Sequence, residues 1–134
     1  AYLPYKYNNN CVVYTGTHDN DTVNGWITSL NRKDLAFVKR YLNVRRNSDI
    51  CENLIRTALA SVSDTAVIPM QDYLGLDGAA RVNTPSTLGG NWEWRMERGA
   101  CTEALSAHML ELAQIYGRTV CSDGAGRKKT NKLR

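Results

Sequence analysis

No stretch of this sequence approaches the roughly 18 consecutive apolar residues that a membrane-spanning helix needs. The opening Ala1-Tyr2-Leu3-Pro4-Tyr5 has neither a basic n-region nor an apolar h-region, so no membrane or secretory address is read. An initiator Met is also missing, which fits a chain that begins inside something longer. No C-x-x-C occurs among Cys11, Cys51, Cys101 and Cys121, and the two histidines, His18 and His108, are not near a cysteine, so the spacing of a zinc site is absent. Four cysteines could form two disulfides, but without a secretion signal a reducing compartment and free thiols are expected, and the location read from this is cytoplasmic. A calcium loop is hinted at by Asp19-Asn20-Asp21 and then excluded, because Val23 occupies the fifth position and a glycine follows at Gly25, not at the sixth.

What is present is one domain's worth of ordinary composition: 134 residues, 43% hydrophobic and 22% charged. The net charge of +4 is unevenly placed. Arg127, Lys128, Lys129, Lys132 and Arg134 crowd the end of the chain, and without those five of the 17 basic residues, 12 remain against 13 acidic ones. The body is near neutral, and residues 123–134 read as a basic, solvated tail rather than as a nucleic-acid-binding arm. A phosphate-binding arm would show steeply salt-dependent binding lost on removing residues 127–134, and no such binding is expected.

Cys11 to Thr17 is a short β-branched and aromatic run without strict alternation, which predicts a strand buried on both faces, as in parallel sheets. The polar cluster His18-Asp19-Asn20-Asp21-Thr22 follows. Val23, Trp26, Ile27 and Leu30 recur at helical spacing, and Asn31 is placed to cap a second helix carrying Leu35, Val38, Tyr41 and Leu42. Ser48 or Asp49 is expected to cap a third helix whose apolar face holds Leu54, Ile55, Ala58, Leu59 and Val62. Thr65 to Met70 then predicts a second buried strand, with Pro69 near its end. Strand, helices and strand make a βαβ crossover and therefore a parallel pair. A last helix is predicted from about Cys101 to Tyr116, with Leu105, Met109, Leu112 and Tyr116 inward and Gly117 at its C′ position. The pattern is α/β, and two parallel strands alone leave bare edges, so further strands are expected to belong with them.

In parallel sheets and barrels chemistry collects at the C-terminal ends of strands. Both polar clusters, His18-Asp19 and Gln71-Asp72, fall at such ends, and a sugar or phosphate pocket between them is expected, with aromatic residues as stacking walls. Each residue also has a plainer role open to it. Asp19 or Asp21 can cap the following helix, His18 can be a neutral hydrogen-bonded residue, and Trp92 and Trp94 can anchor a loop. An indole open to a cleft instead offers a sugar ring a flat apolar face. His108, near the apolar side of the last helix, reads as structural.

The run Val12-Val13-Tyr14-Thr15-Gly16-Thr17-His18-Asp19-Asn20-Asp21-Thr22 resembles the signature of the amylomaltases, the 4-α-glucanotransferases of the α-amylase superfamily, at their seventh barrel strand. Pro69-Met70-Gln71-Asp72-Tyr73-Leu74-Gly75-Leu76, Ala80-Arg81-Val82-Asn83-Thr84-Pro85 and Gly90-Asn91-Trp92-Glu93-Trp94-Arg95 resemble the eighth strand and its following loop in the same order. Tyr2-Leu3-Pro4 adds a short match. The sequence departs from the family pattern at Tyr5-Lys6, where His-Asn is usual, at Val82, where Met is usual, and at Ser86, where Gly is usual.

The resemblance implies that residues 1–122 are the C-terminal portion, the last two βα units, of a (β/α)₈ barrel. It implies a retaining enzyme acting on malto-oligosaccharides or starch-derived glucan, with no cofactor and no metal, whose nucleophilic Asp and acid/base Glu lie on earlier strands outside this sequence. Asp19 then matches the transition-state-stabilising carboxylate and His18 its neighbouring histidine. Asn83, Gln71 and Trp92 are the implied substrate contacts. Adjacent strand residues point to opposite faces, so His18 and Asp19 can both reach a sugar only if the chain leaves its pleat at the Asn20-Asp21 turn. Two other readings stand beside this one: a glucan-binding remnant without nucleophile, and a chain in which Asp19 and Asp72 are themselves the catalytic pair.

Overall fold

The computed structural model describes residues 3–119. Two short strands, β1 (Val12–Tyr14) and β2 (Thr65–Val67), pair in parallel with Val12 opposite Thr65, Val13 opposite Ala66 and Tyr14 opposite Val67. Between them run α1 (Val23–Ser29), α2 (Arg32–Leu42) and α3 (Ile50–Leu59). After β2 come a single turn, α4 (Met70–Tyr73), and a long helix, α5 (Glu103–Ile115). The expected crossover and parallel pairing are both present.

The helices α1, α2 and α5 start where a polar side chain takes an orphan backbone N–H. At α1 it is Thr22, whose hydroxyl accepts from Gly25 N at 3.1 Å, rather than Asp19 or Asp21. Asp21 instead accepts from Thr22 N at 2.7 Å, and its carboxylate sits where a Cβ on Gly25 would have to stand, so any larger residue at position 25 would have to push that carboxylate aside. Asn31 caps α2 as expected, accepting from Asp34 N at 3.0 Å, and Asn43 ends it in the left-handed conformation. Neither Ser48 nor Asp49 caps α3: the chain enters through a 3₁₀ turn, and Arg46 grips the Asp49 carboxylate through two nitrogens at 2.9 and 3.1 Å. Thr102 caps α5, which is therefore shorter at its start than the apolar spacing implied, and Gly117 takes the left-handed φ of 63° that a C′ residue needs.

One face of each of α1, α2, α3 and α5 feeds a single core of Val23, Ile27, Leu42, Ile50, Cys51, Ile55, Leu59 and Leu112, with Tyr73 of α4 packed against it. The helix α5 lies on α3 through Leu112, and His108, half-buried, bonds Glu52 across the pair at 3.2 Å. Val62, expected on the apolar face of α3, is exposed because that helix ends at Leu59. There Arg118 closes the turn, donating to the carbonyls of Leu59, Ser61, Ser63 and Asp64 at 2.6 to 3.4 Å.

The strands are shorter than expected and buried on one face only. Val13 packs inward, while Val12 and Tyr14 are 47% and 46% exposed. Tyr14 also borders an apolar groove of about 490 Å³ lined by Trp26, Phe37 and Tyr41. The ladder stops where its partners stop: the Thr15 hydroxyl turns to Asp72, and Pro69, with no N–H to offer, opens α4. Cys11, Cys51 and Cys101 are free thiols, and no helix among the described residues is long and apolar enough to cross a membrane. The tail at 123–134 and Cys121 lie outside the described residues.

Candidate active site

His18 and Asp19 do not end β1. They lie several residues beyond it, in a turn closed by Asn20 N donating to Thr17 O at 3.0 Å and by the Asn20 side chain accepting from both the N–H and the hydroxyl of Thr17. The strand pleat no longer applies there, and the two side chains come to the same side, with His18 Nε2 3.4 Å from Asp19 Oδ1.

The segment after α4 meets this turn. Asn83 Nδ2 donates to Asp19 Oδ1 at 2.7 Å across 64 positions of sequence, and Arg81 Nη2 donates to the Asp19 carbonyl at 2.7 Å. Trp92, at φ 67°, donates its backbone N–H to the Val82 carbonyl at 2.7 Å. The residue is 57% exposed, and its ring centroid lies 5.1 Å from that of His18 at an interplanar angle of 37°. Asp19 keeps 53% of its side chain exposed, and among the described residues Oδ2 has no partner. The result is an open carboxylate fixed through one oxygen, beside an imidazole and an indole face.

Gln71, by contrast, is buried on α4, where its amide nitrogen reaches the Ala80 carbonyl at 3.3 Å. It contributes to the wall of an adjoining cavity of about 440 Å³, together with Tyr14, His18, Asp72, Arg81 and Val82. Asp72 has a structural engagement at each oxygen: Thr15 donates its hydroxyl to Oδ2 at 2.5 Å and Val23 its N–H to Oδ1 at 2.9 Å. Gln71 and Asp72 sit in a helical turn and not at a strand end as the sequence implied. Beneath them, burial and the nearby Asp72 push the Cys51 thiol up to about 12. Among the described residues no group of three or more His, Cys, Asp or Glu side chains could hold a metal ion.

Arg81 is the site residue that sequence reasoning passed over. Its acceptors are backbone carbonyls, which leave no mark in a sequence, although it stands two positions before Asn83 in a quoted motif.

Comparison with known proteins settles the family. The profile of the 4-alpha-glucanotransferase family matches residues 1–102. This chain belongs to the 4-α-glucanotransferase family. The enzyme of that name from Synechocystis is 43% identical over 120 residues, covering 89% of this chain and 24% of the relative, and that of Streptococcus pneumoniae is 46% identical over 110 residues, covering 81% and 22%. A plant relative, the chloroplastic/amyloplastic 4-alpha-glucanotransferase of Arabidopsis thaliana, is 42% identical over 120 residues, covering 87% and 21%. Among solved structures, the amylomaltase of Streptococcus agalactiae in complex with acarbose superposes with a TM-score of 0.83 at 39% identity, over 88% of this chain and 24% of that one. The chain thus spans about a fifth to a quarter of the length of these 4-α-glucanotransferases.

Proposed function

We propose that this chain is the closing, C-terminal part of a (β/α)₈-barrel 4-α-glucanotransferase, with residues 1–122 belonging to the barrel and 123–134 forming a basic tail. The open face of the sheet at Val12, Tyr14 and Val67, and the groove at Trp26, Phe37 and Tyr41, are where the remaining barrel elements pack. The complete enzyme moves α-1,4-glucan segments between malto-oligosaccharides by a retaining double displacement, with nucleophile and acid/base supplied by earlier strands.

The observation that carries this reading is the carboxylate of Asp19, held by Asn83 at 2.7 Å yet open to solvent at the rim of a cleft. Negative charge fixed where an oxocarbenium-like sugar develops positive charge stabilises the transition state more than the ground state. Asn83 and His18 orient that charge and bond sugar hydroxyls, Trp92 gives the ring an apolar face, and Gln71 forms the cleft wall. Transfer outcompetes hydrolysis when an acceptor sugar is held against such walls and water is kept out. No cofactor or metal enters this scheme, and the location proposed is the cytoplasm, in keeping with the free thiols.

Incubating the complete polypeptide with maltotriose tests it. Glucose together with maltodextrins longer than the substrate is the expected product pattern. Maltotriose binding without turnover would leave a glucan-binding remnant, and shorter sugars alone would indicate a hydrolase.

A further inference from the structure

We propose that Arg81 is a positioning residue of this active site, a brace that fixes both ends of Asp19 without touching the sugar. The inference rests on the role given to Asp19 above. Arg81 sends Nη2 to the Asp19 carbonyl at 2.7 Å and Nε to the Asn83 carbonyl at 2.8 Å. Asn83 in turn sends its amide to the Asp19 carboxylate at 2.7 Å. These three bonds close a ring: the guanidinium joins the two backbones, and the two side chains join each other. Asp19 therefore cannot shift its carboxylate or its main chain without breaking one of them.

The chemistry of the ring calls for arginine. Two N–H groups in one rigid plane span two carbonyls at a fixed separation, which a lysine ammonium on a flexible stem cannot reproduce. Arg81 makes no ion pair among the described residues, so its charge is directed to carbonyl dipoles and not to neutralising an acid. The same short segment carries the rest of the cleft: the Val82 carbonyl holds Trp92, and the Ala80 carbonyl takes the Gln71 amide. Arg81 thus ties the stabilising carboxylate to the segment from which the stacking wall hangs.

The test compares Arg81→Ala, Arg81→Lys and wild type in the complete enzyme, by maltotriose kinetics and by crystal structures. Because misplacing a catalytic group by about 1 Å costs about 100-fold, Arg81→Ala is expected to lower kcat by about that factor. Ground-state binding is left largely intact, so KM should stay within about three-fold. Arg81→Lys should recover only a small part of the loss, whereas added guanidinium should restore kcat of Arg81→Ala several-fold, which a purely structural role would not allow. The crystal structure of Arg81→Ala should show Asp19 separated from Asn83. More than half the wild-type kcat in Arg81→Ala, or an unmoved Asp19–Asn83 pair, overturns the brace. If wild type itself yields no transfer products, the functional reading fails instead, and the Asp19–Asn83 geometry in the variant still decides whether Arg81 holds it.

Discussion

Two aspartates, one on the turn beyond β1 and one on α4, are used in opposite ways. Asp19 is 53% exposed on its side chain and fixed through one oxygen, while Asp72 is 4% exposed and has both oxygens engaged, by Thr15 and by the N-terminus of α1. Both follow a strand in sequence and both belong to polar clusters. The difference lies in what each meets. Asp72 is on a helical turn facing the core side, where an unpaired carboxylate would be too costly to bury, so the fold supplies two donors. Asp19 is on a turn at the rim, where water can solvate the oxygen that the protein leaves open. A carboxylate that does chemistry is one the fold holds but does not saturate. Asp72 is saturated, and the reading that made Asp19 and Asp72 a catalytic pair loses its physical basis.

That contrast can be broken first by Asp19→Asn in the complete enzyme. Removing the charge is expected to lower kcat on maltotriose by about 10³-fold or more. As an exposed site it should move folding stability by less than about 0.5 kcal/mol. Near wild-type transfer would end its assigned role. Asp72→Ala should show the reverse, since it orphans the Val23 N–H and the Thr15 hydroxyl in a buried place, at a cost of about 3 kcal/mol in urea denaturation. A loss below about 1 kcal/mol would mean that the two donors find other partners.

The core beneath Asp72 can be probed through its thiol. With its pKa raised to about 12 by burial and by Asp72, Cys51 stays almost wholly protonated between pH 7 and 9, so raising pH across that range should not make it reactive. Exposed Cys101 should be alkylated at least about 100-fold faster, as read by peptide mass spectrometry. Comparable rates would show that the layer under Asp72 opens readily. The smallest effect belongs to the rim loop. Ser86 stands at φ 64°, and Ser86→Gly should raise stability by about 0.5 kcal/mol, the relief of left-handed strain less the added chain entropy. A lower melting temperature would show that the serine makes a compensating contact.

Much of this was legible in the residues. The β-branched runs, the helical spacing of Leu35, Val38 and Leu42, and Asn31 as a cap follow from local chemistry, and the structure repeats them. Strand ends were read too long because a strand ends where its neighbour does, and the neighbour is 50 or so residues away. The cap of α1 was left open between Asp19 and Asp21, and the structure gives it to Thr22. Asp19 and Asp21 look like capping residues locally, but Asp72, 49 positions on, takes the Val23 N–H and leaves Asp19 free for the rim. That Asn83 and Trp92 meet the His18-Asp19 turn was reachable only through the family resemblance, since no periodicity links positions so far apart. Arg81 was hidden because backbone carbonyls have no letter in the sequence.

The clasp that Arg118 makes also reaches far along the chain. Its acceptors, the carbonyls from Leu59 to Asp64, converge only after α3 has ended and the chain has turned toward β2. Those contacts span 54 to 59 positions, so the entropy of closing a long loop must be overcome before they form. One side chain just beyond the last helix thus holds it to the turn between α3 and β2, so the seat of α5 on the crossover depends on a guanidinium as well as on Leu112.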